Sequence, residues 1–66
     1  LIPLGIGRNS RISGAIIDKN ARIGENVVIQ PFPPGKDLDG EGWVVRDGIV
    51  VIPKDTVIPH DTRIAP

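Results

Sequence analysis

Isoleucine recurs every sixth residue in this chain, and no other feature limits the fold as tightly. In "IIDKNARIGENVVI" the spacing runs Ile17, Ile23, Ile29. Six is neither the 3.6 of a helix nor the 2 of a simple strand. Counting each anchoring isoleucine as position one, the hexads read "IGRNSR" from Ile6, "IDKNAR" from Ile17, "IGENVV" from Ile23, "IPKDTV" from Ile52 and "IPHDTR" from Ile58, with Ile64 opening another. A shortened unit, "ISGAI", fills Ile12 to Ile16.

The other positions are equally regular. Position five holds Ser10, Ala21, Val27, Thr56 and Thr62, all small or β-branched. Position four holds Asn9, Asn20, Asn26, Asp55 and Asp61, the residue types other than glycine that best accept left-handed backbone or close a local turn. Position two is Gly, Asp or Pro. Each hexad therefore reads as a short β segment followed by a corner, with positions five and one on the inward face because strand side chains alternate. Proline, glycine and β-branched residues count against helix. Three sides close a triangular turn, and the expected fold is all-β: a parallel β-helix built from hexapeptide repeats.

One stretch breaks the period. "QPFPPGKDLDGEGWVVRDG", Gln30 to Gly48, is rich in Pro, Gly and Asp and reads as a loop, residues 30–48, extruded at one corner. Ile29 and Gln30 open a hexad that Val50 and Val51 complete, so the coil resumes in register. Trp43, Val44 and Val45 are expected to fold back over the coil. Counting sides from Ile6, every third side stacks, which lays the side from Ile17 against the side from Ile52. Lys19 and Lys54 then share one corner on adjacent coils, about 4.8 Å apart along the stack. A second corner stacks Arg8, Glu25 and His60.

Sixty-six residues form one domain, residues 1–66, with a thin core. The chain has no methionine and is expected to be a fragment of a larger protein, poorly stable alone because its coil ends expose strand edges. Zero net charge argues against nucleic-acid and membrane-surface partners, which call for a basic excess. No apolar run is long enough to span a bilayer. With no cysteine and one histidine, thiolate and three-histidine metal sites are excluded. No glycine-rich loop precedes a helix. Asp37, Asp39 and Glu41 fall in the loop and are a poor cation trap.

Two lysines stacked directly on one another repel, and the arrangement suits an anion. Lys19, Lys54 and Arg46, arriving from the end of the loop, form a candidate site for a phosphate or carboxylate through charge-assisted hydrogen bonds. The Arg8, Glu25, His60 column reads as a solvated ladder of little energetic weight. His60 is the one candidate general base should the chain be a hexapeptide acyltransferase.

At "AIIDKNARIG" and "GWVVRDGIVVIPKDTVIPHDT", preceded by "LIPLGIGRNSRI", the chain resembles the C-terminal domain of ADP-glucose pyrophosphorylase (glucose-1-phosphate adenylyltransferase) over nearly its whole length. "DKNARIG" is more specific than a bare hexapeptide pattern and counts against the acyltransferase reading. The resemblance implies a left-handed coil, an exception to the usual right-handed crossover. It also implies a tetrameric enzyme of glycogen or starch synthesis, located in the bacterial cytoplasm or a plastid. That enzyme makes ADP-glucose and pyrophosphate from ATP and glucose 1-phosphate with Mg2+, in an N-terminal catalytic domain absent here. This segment holds no cofactor of its own; it would pack on that domain and on neighbouring subunits and bind phosphorylated or carboxylate effectors. In photosynthetic members two activator-site lysines lie in the "DKNARI" segment and just after "GIVV", matching Lys19 and Lys54, and Arg46 matches a basic residue before "GIVV". "PFPPGKDLDGE" replaces a longer, more polar stretch of the family. A coil serving only for structure, in another sugar-nucleotide pyrophosphorylase, is the remaining alternative.

Overall fold

The computed structural model describes residues 2–66. The described residues form ten short strands: β1 (Gly5–Ile6), β2 (Arg11–Ile12), β3 (Ala15–Ile17), β4 (Arg22–Ile23), β5 (Val28–Ile29), β6 (Leu38–Asp39), β7 (Val44–Arg46), β8 (Ile49–Ile52), β9 (Val57–Ile58) and β10 (Arg63–Ile64). They form three sheets, the faces of a triangular coil: β1-β4-β9, β2-β5-β10 and β3-β8-β7-β6. All pairs between successive coils are parallel, and each face aligns its isoleucines. Ile6 pairs with Ile23 and Ile23 with Ile58; Ile12 with Ile29 and Ile29 with Ile64; Ile17 with Ile52. Every third side stacks, as the period requires, and the insertion leaves the register intact.

Corners form where the sequence places Asn or Asp. Asn9, Asn20, Asn26, Asp55 and Asp61 all adopt left-handed backbone, with φ between 59 and 65°. A β-branched residue is strained in that region, so position four sets where the chain turns. Positions five and one of the middle coil supply most of the core: Ala21, Ile23, Val27, Ile29, Val50 and Ile52 are buried. Ser10 takes an inward position on the first coil. Its hydroxyl donates to the Gly24 carbonyl at 2.9 Å and accepts from the Val27 amide at 3.1 Å, which satisfies its polarity inside the stack. Ile6, on the end coil, has no rung outside it and is 59% exposed.

The interruption at 30–48 contains more order than a loop. β6 and β7 pair antiparallel, and β7 pairs antiparallel with β8 through Val45↔Val50 and Arg46↔Ile49. Asp47 and Gly48 connect β7 to β8 with φ of 51 and 78°, the two consecutive positive values of a type I′ hairpin turn. Next to β8, β7 occupies the place that a third strand of that face would take on the next coil. Val45 is fully buried and Trp43 packs against the core, so the fold-back expected of this segment caps the coil end.

Candidate functional site

The Lys19–Lys54 corner is built by β3 and β8. Ile17 and Ile52 are register partners, and each chain leaves the face two residues later at a lysine. The Asp18 amide donates to the Ile52 carbonyl at 2.9 Å and the Asp55 amide to the Lys19 carbonyl at 3.2 Å, so the two corners are hydrogen-bonded backbone to backbone. Asn20 and Asp55 then turn both coils through left-handed residues. The lysines therefore sit on successive rungs, about 4.8 Å apart along the stack, and both are exposed. The Asp18 carboxylate is occupied locally, accepting the Lys19 amide at 2.7 Å. Among the described residues the one ion pair is Arg46–Asp39, so neither lysine is held in an ion pair. Two point charges on flexible stems, held at one corner, can converge on a single phosphate or carboxylate.

Arg46 is not brought to that corner. It lies opposite Ile49, five residues before Lys54 along the adjoining strand, a separation on the order of 15 Å in extended chain. Its guanidinium donates to Asp39 Oδ1 at 2.8 Å and to the Leu38 and Val45 carbonyls at 3.3 and 2.8 Å. Treating 30–48 as a loop allowed Arg46 to swing toward the lysines; the antiparallel hairpin fixes it at the far end of the face. Asp37 and Asp47 of the hairpin are also engaged in local structure. Asp37 accepts the Asp47 amide, and Asp47 accepts the Gly35 amide. Among the described residues no group of three or more His, Asp or Glu is placed to hold a metal ion.

Arg8, Glu25 and His60 do share a corner: the Asn26 amide donates to the Arg8 carbonyl and the Asp61 amide to the Glu25 carbonyl, both at 2.9 Å. The ladder is not held by charge pairing. His60 Nδ1 accepts the backbone N–H of Glu25 at 2.7 Å. That bond uses the lone pair of Nδ1 and puts the ring proton on Nε2, leaving the neutral ring no free lone pair to act as a general base. With its one lone pair engaged by the backbone, His60 gives the acyltransferase reading no support in this geometry. The sequence carried no signal for the bond, which depends on how the corner aims an amide.

Two grooves among the described residues lie away from the lysines. One groove is lined by Ile2, Arg22, Val57 and His60, and another by Phe32, Pro33, Lys36, Leu38, Ala65 and Pro66. The lysine corner is an open ridge that offers one side of a site.

Residues 1–63 match the family model described as the GLGC left-handed parallel beta-helix domain. The chain is 46% identical over 65 residues to the chloroplastic/amyloplastic small subunit of glucose-1-phosphate adenylyltransferase from Triticum aestivum, covering 96% of this chain and 14% of that protein. It is also 46% identical over 63 residues to a protein from Arabidopsis thaliana named an inactive small subunit 2 of the same enzyme, covering 92% of this chain and 13% of the relative. A small subunit from Zea mays is 46% identical over 65 residues, 96% of this chain and 52% of its own length. The chain thus spans a small part of the first two relatives and about half of the third. The matched model, the parallel faces and the isoleucine ladders agree: the chain belongs to the GLGC left-handed parallel β-helix domain family.

Proposed function

We propose that this chain is the regulatory and assembly domain of a glucose-1-phosphate adenylyltransferase, and that an anionic effector binds across Lys19 and Lys54. The observation that carries the reading is the pair of lysines, neither in an ion pair, on hydrogen-bonded corners, residues that come together only because the coil keeps register across the insertion. The parent reaction is ATP plus glucose 1-phosphate to ADP-glucose and pyrophosphate, with Mg2+ held in a separate catalytic domain, in a plastid or the bacterial cytoplasm. The open ridge needs a second wall, which the catalytic domain or a neighbouring subunit of a tetramer supplies. A phosphorylated or carboxylate metabolite in that seam neutralises both lysines. If it binds the active arrangement more tightly than the inactive one, it shifts the population toward activity. Arg46, tied to Asp39, stabilises the hairpin and is left out of the anion shell.

The test uses the full-length enzyme with a small phosphorylated carboxylate as effector. Lys54→Glu and Lys19→Glu are each expected to raise the half-saturating effector concentration by about tenfold or more, the worth of one charge-assisted hydrogen bond or more. Turnover without effector stays within about twofold, because neither residue belongs to the catalytic domain. Activation curves that superimpose on the unmodified enzyme would remove the lysine corner from the mechanism.

A further inference from the structure

The third coil forms one end of the stack. It contributes two strands of two residues, β9 and β10, each paired on one side. At the corner between them, the amide of Asp61 reaches the Glu25 carbonyl on the middle coil. The amide of Glu25 points the other way and meets a side chain, His60 Nδ1, at 2.7 Å. The imidazole lies directly against Gly24, where a Cβ would stand 2.8 Å from Nδ1 and 2.6 Å from the His60 amide nitrogen. A side chain at Gly24 would meet the His60 backbone and ring together, so the glycine lets the two corners pack this closely. We infer that His60 is a proton-sensitive latch joining the second and third coils at this corner.

The chemistry follows from the inventory of ring nitrogens. Neutral imidazole offers one acceptor, and here that acceptor is Nδ1. Imidazolium donates from both nitrogens, so protonation sets an N–H of the ring against the N–H of Glu25 and the bond is lost. The ring is exposed on its outer side and can swing into water. The charged groups around it have both signs. Glu25 lies on the adjacent rung and Asp61 follows in the chain; Arg8 stands one rung further along the column, and Arg22 shares the groove with Ile2 and Val57. Two carboxylates and two guanidinium groups leave the amide as the partner that distinguishes the ring's protonation states. The link is present when the ring is neutral and absent when it is charged. It uses nothing from the lysine corner, so it stands or falls independently of the proposed effector site.

Hydrogen exchange read by mass spectrometry on the full-length protein tests the latch, with protection corrected for intrinsic exchange at each pH. Between about pH 7.5 and about pH 5.5, peptides covering 57–64 are expected to lose protection about three- to tenfold, the scale of one net hydrogen bond, relative to peptides covering 15–17 and 49–52. His60→Asn supplies the control, because an amide oxygen near the place of Nδ1 accepts the same N–H and does not titrate. In this variant the third coil is expected to hold equal protection at both pH values. A wild-type third coil without the selective drop overturns the latch, and so does a His60→Asn variant that keeps it.

Discussion

Replacing Ile23 by Ala and, separately, Ile6 by Ala distinguishes burial in the stack from membership of the repeat. The two residues occupy the same hexad position on the same face and are register partners. Ile23 is 1% exposed, between Ile6 and Ile58; Ile6 is 59% exposed at the end of the ladder. Ile23→Ala removes three buried carbons, about 2.4 kcal/mol of transfer free energy at about 0.8 kcal/mol each. The void beneath adds about 1 to 2 kcal/mol, because rungs fixed by backbone hydrogen bonds above and below collapse only partly. The total is about 3 to 4 kcal/mol. Ile6→Ala loses only the covered fraction of the same transfer term, about 1 kcal/mol, and opens no enclosed void. A domain of this size has roughly 3 to 10 kcal/mol in all, so the first change removes much of the stability and the second a small share. Urea unfolding followed by Trp43 fluorescence reads both, since Trp43 is the chain's one tryptophan and packs on the core. Equal losses at the two positions would refute the reasoning, because they would mean that the first coil is as enclosed as the second.

Three further outcomes follow from the geometry. Asn26→Ala places a residue with a weaker left-handed preference at φ 59° and is expected to cost about 1 kcal/mol, while Asn26→Gly is close to neutral; thermal unfolding of the pair measures the difference. Gly48→Ala adds a Cβ 2.6 Å from the Phe32 carbonyl oxygen at a φ of 78°, so the hairpin turn is expected to open, at a cost of at least about 1 to 3 kcal/mol, and Trp43 emission to shift red. Lys19→Cys with Lys54→Cys is expected to form an intramolecular disulfide under mild oxidation, since adjacent rungs fall within the span a disulfide bridges. Lys19→Cys with Arg46→Cys stays reduced, and a non-reducing peptide map separates the two cases.

Much of this architecture is written in the period. Isoleucine at position one and Asn or Asp at position four prescribe sides and corners, and all five position-four residues turn through left-handed backbone. The register across the insertion was also legible, because Ile29 and Val50 supply successive inward positions of one coil. The hairpin was missed, although Asp47-Gly48 between "VVR" and "IVV" carries the common signal for a two-residue type I′ turn. Reading those residues as loop also misplaced Arg46, whose position depends on pairing with Ile49. The strand at Leu38–Asp39 has no periodic mark, being two residues held by β7 alone. The bond from Glu25 to His60 lies beyond pattern reading, because it depends on the direction of one amide and on how closely His60 packs on Gly24.

A crystal structure of the full-length protein soaked with a sugar phosphate tests the proposed anion site at Lys19 and Lys54 without intermediate steps. The account predicts density for the phosphate within hydrogen-bond reach of both lysine Nζ atoms, with a second wall contributed from outside this domain. Phosphate bound elsewhere, with the two lysines stacked but extended into solvent, would contradict it.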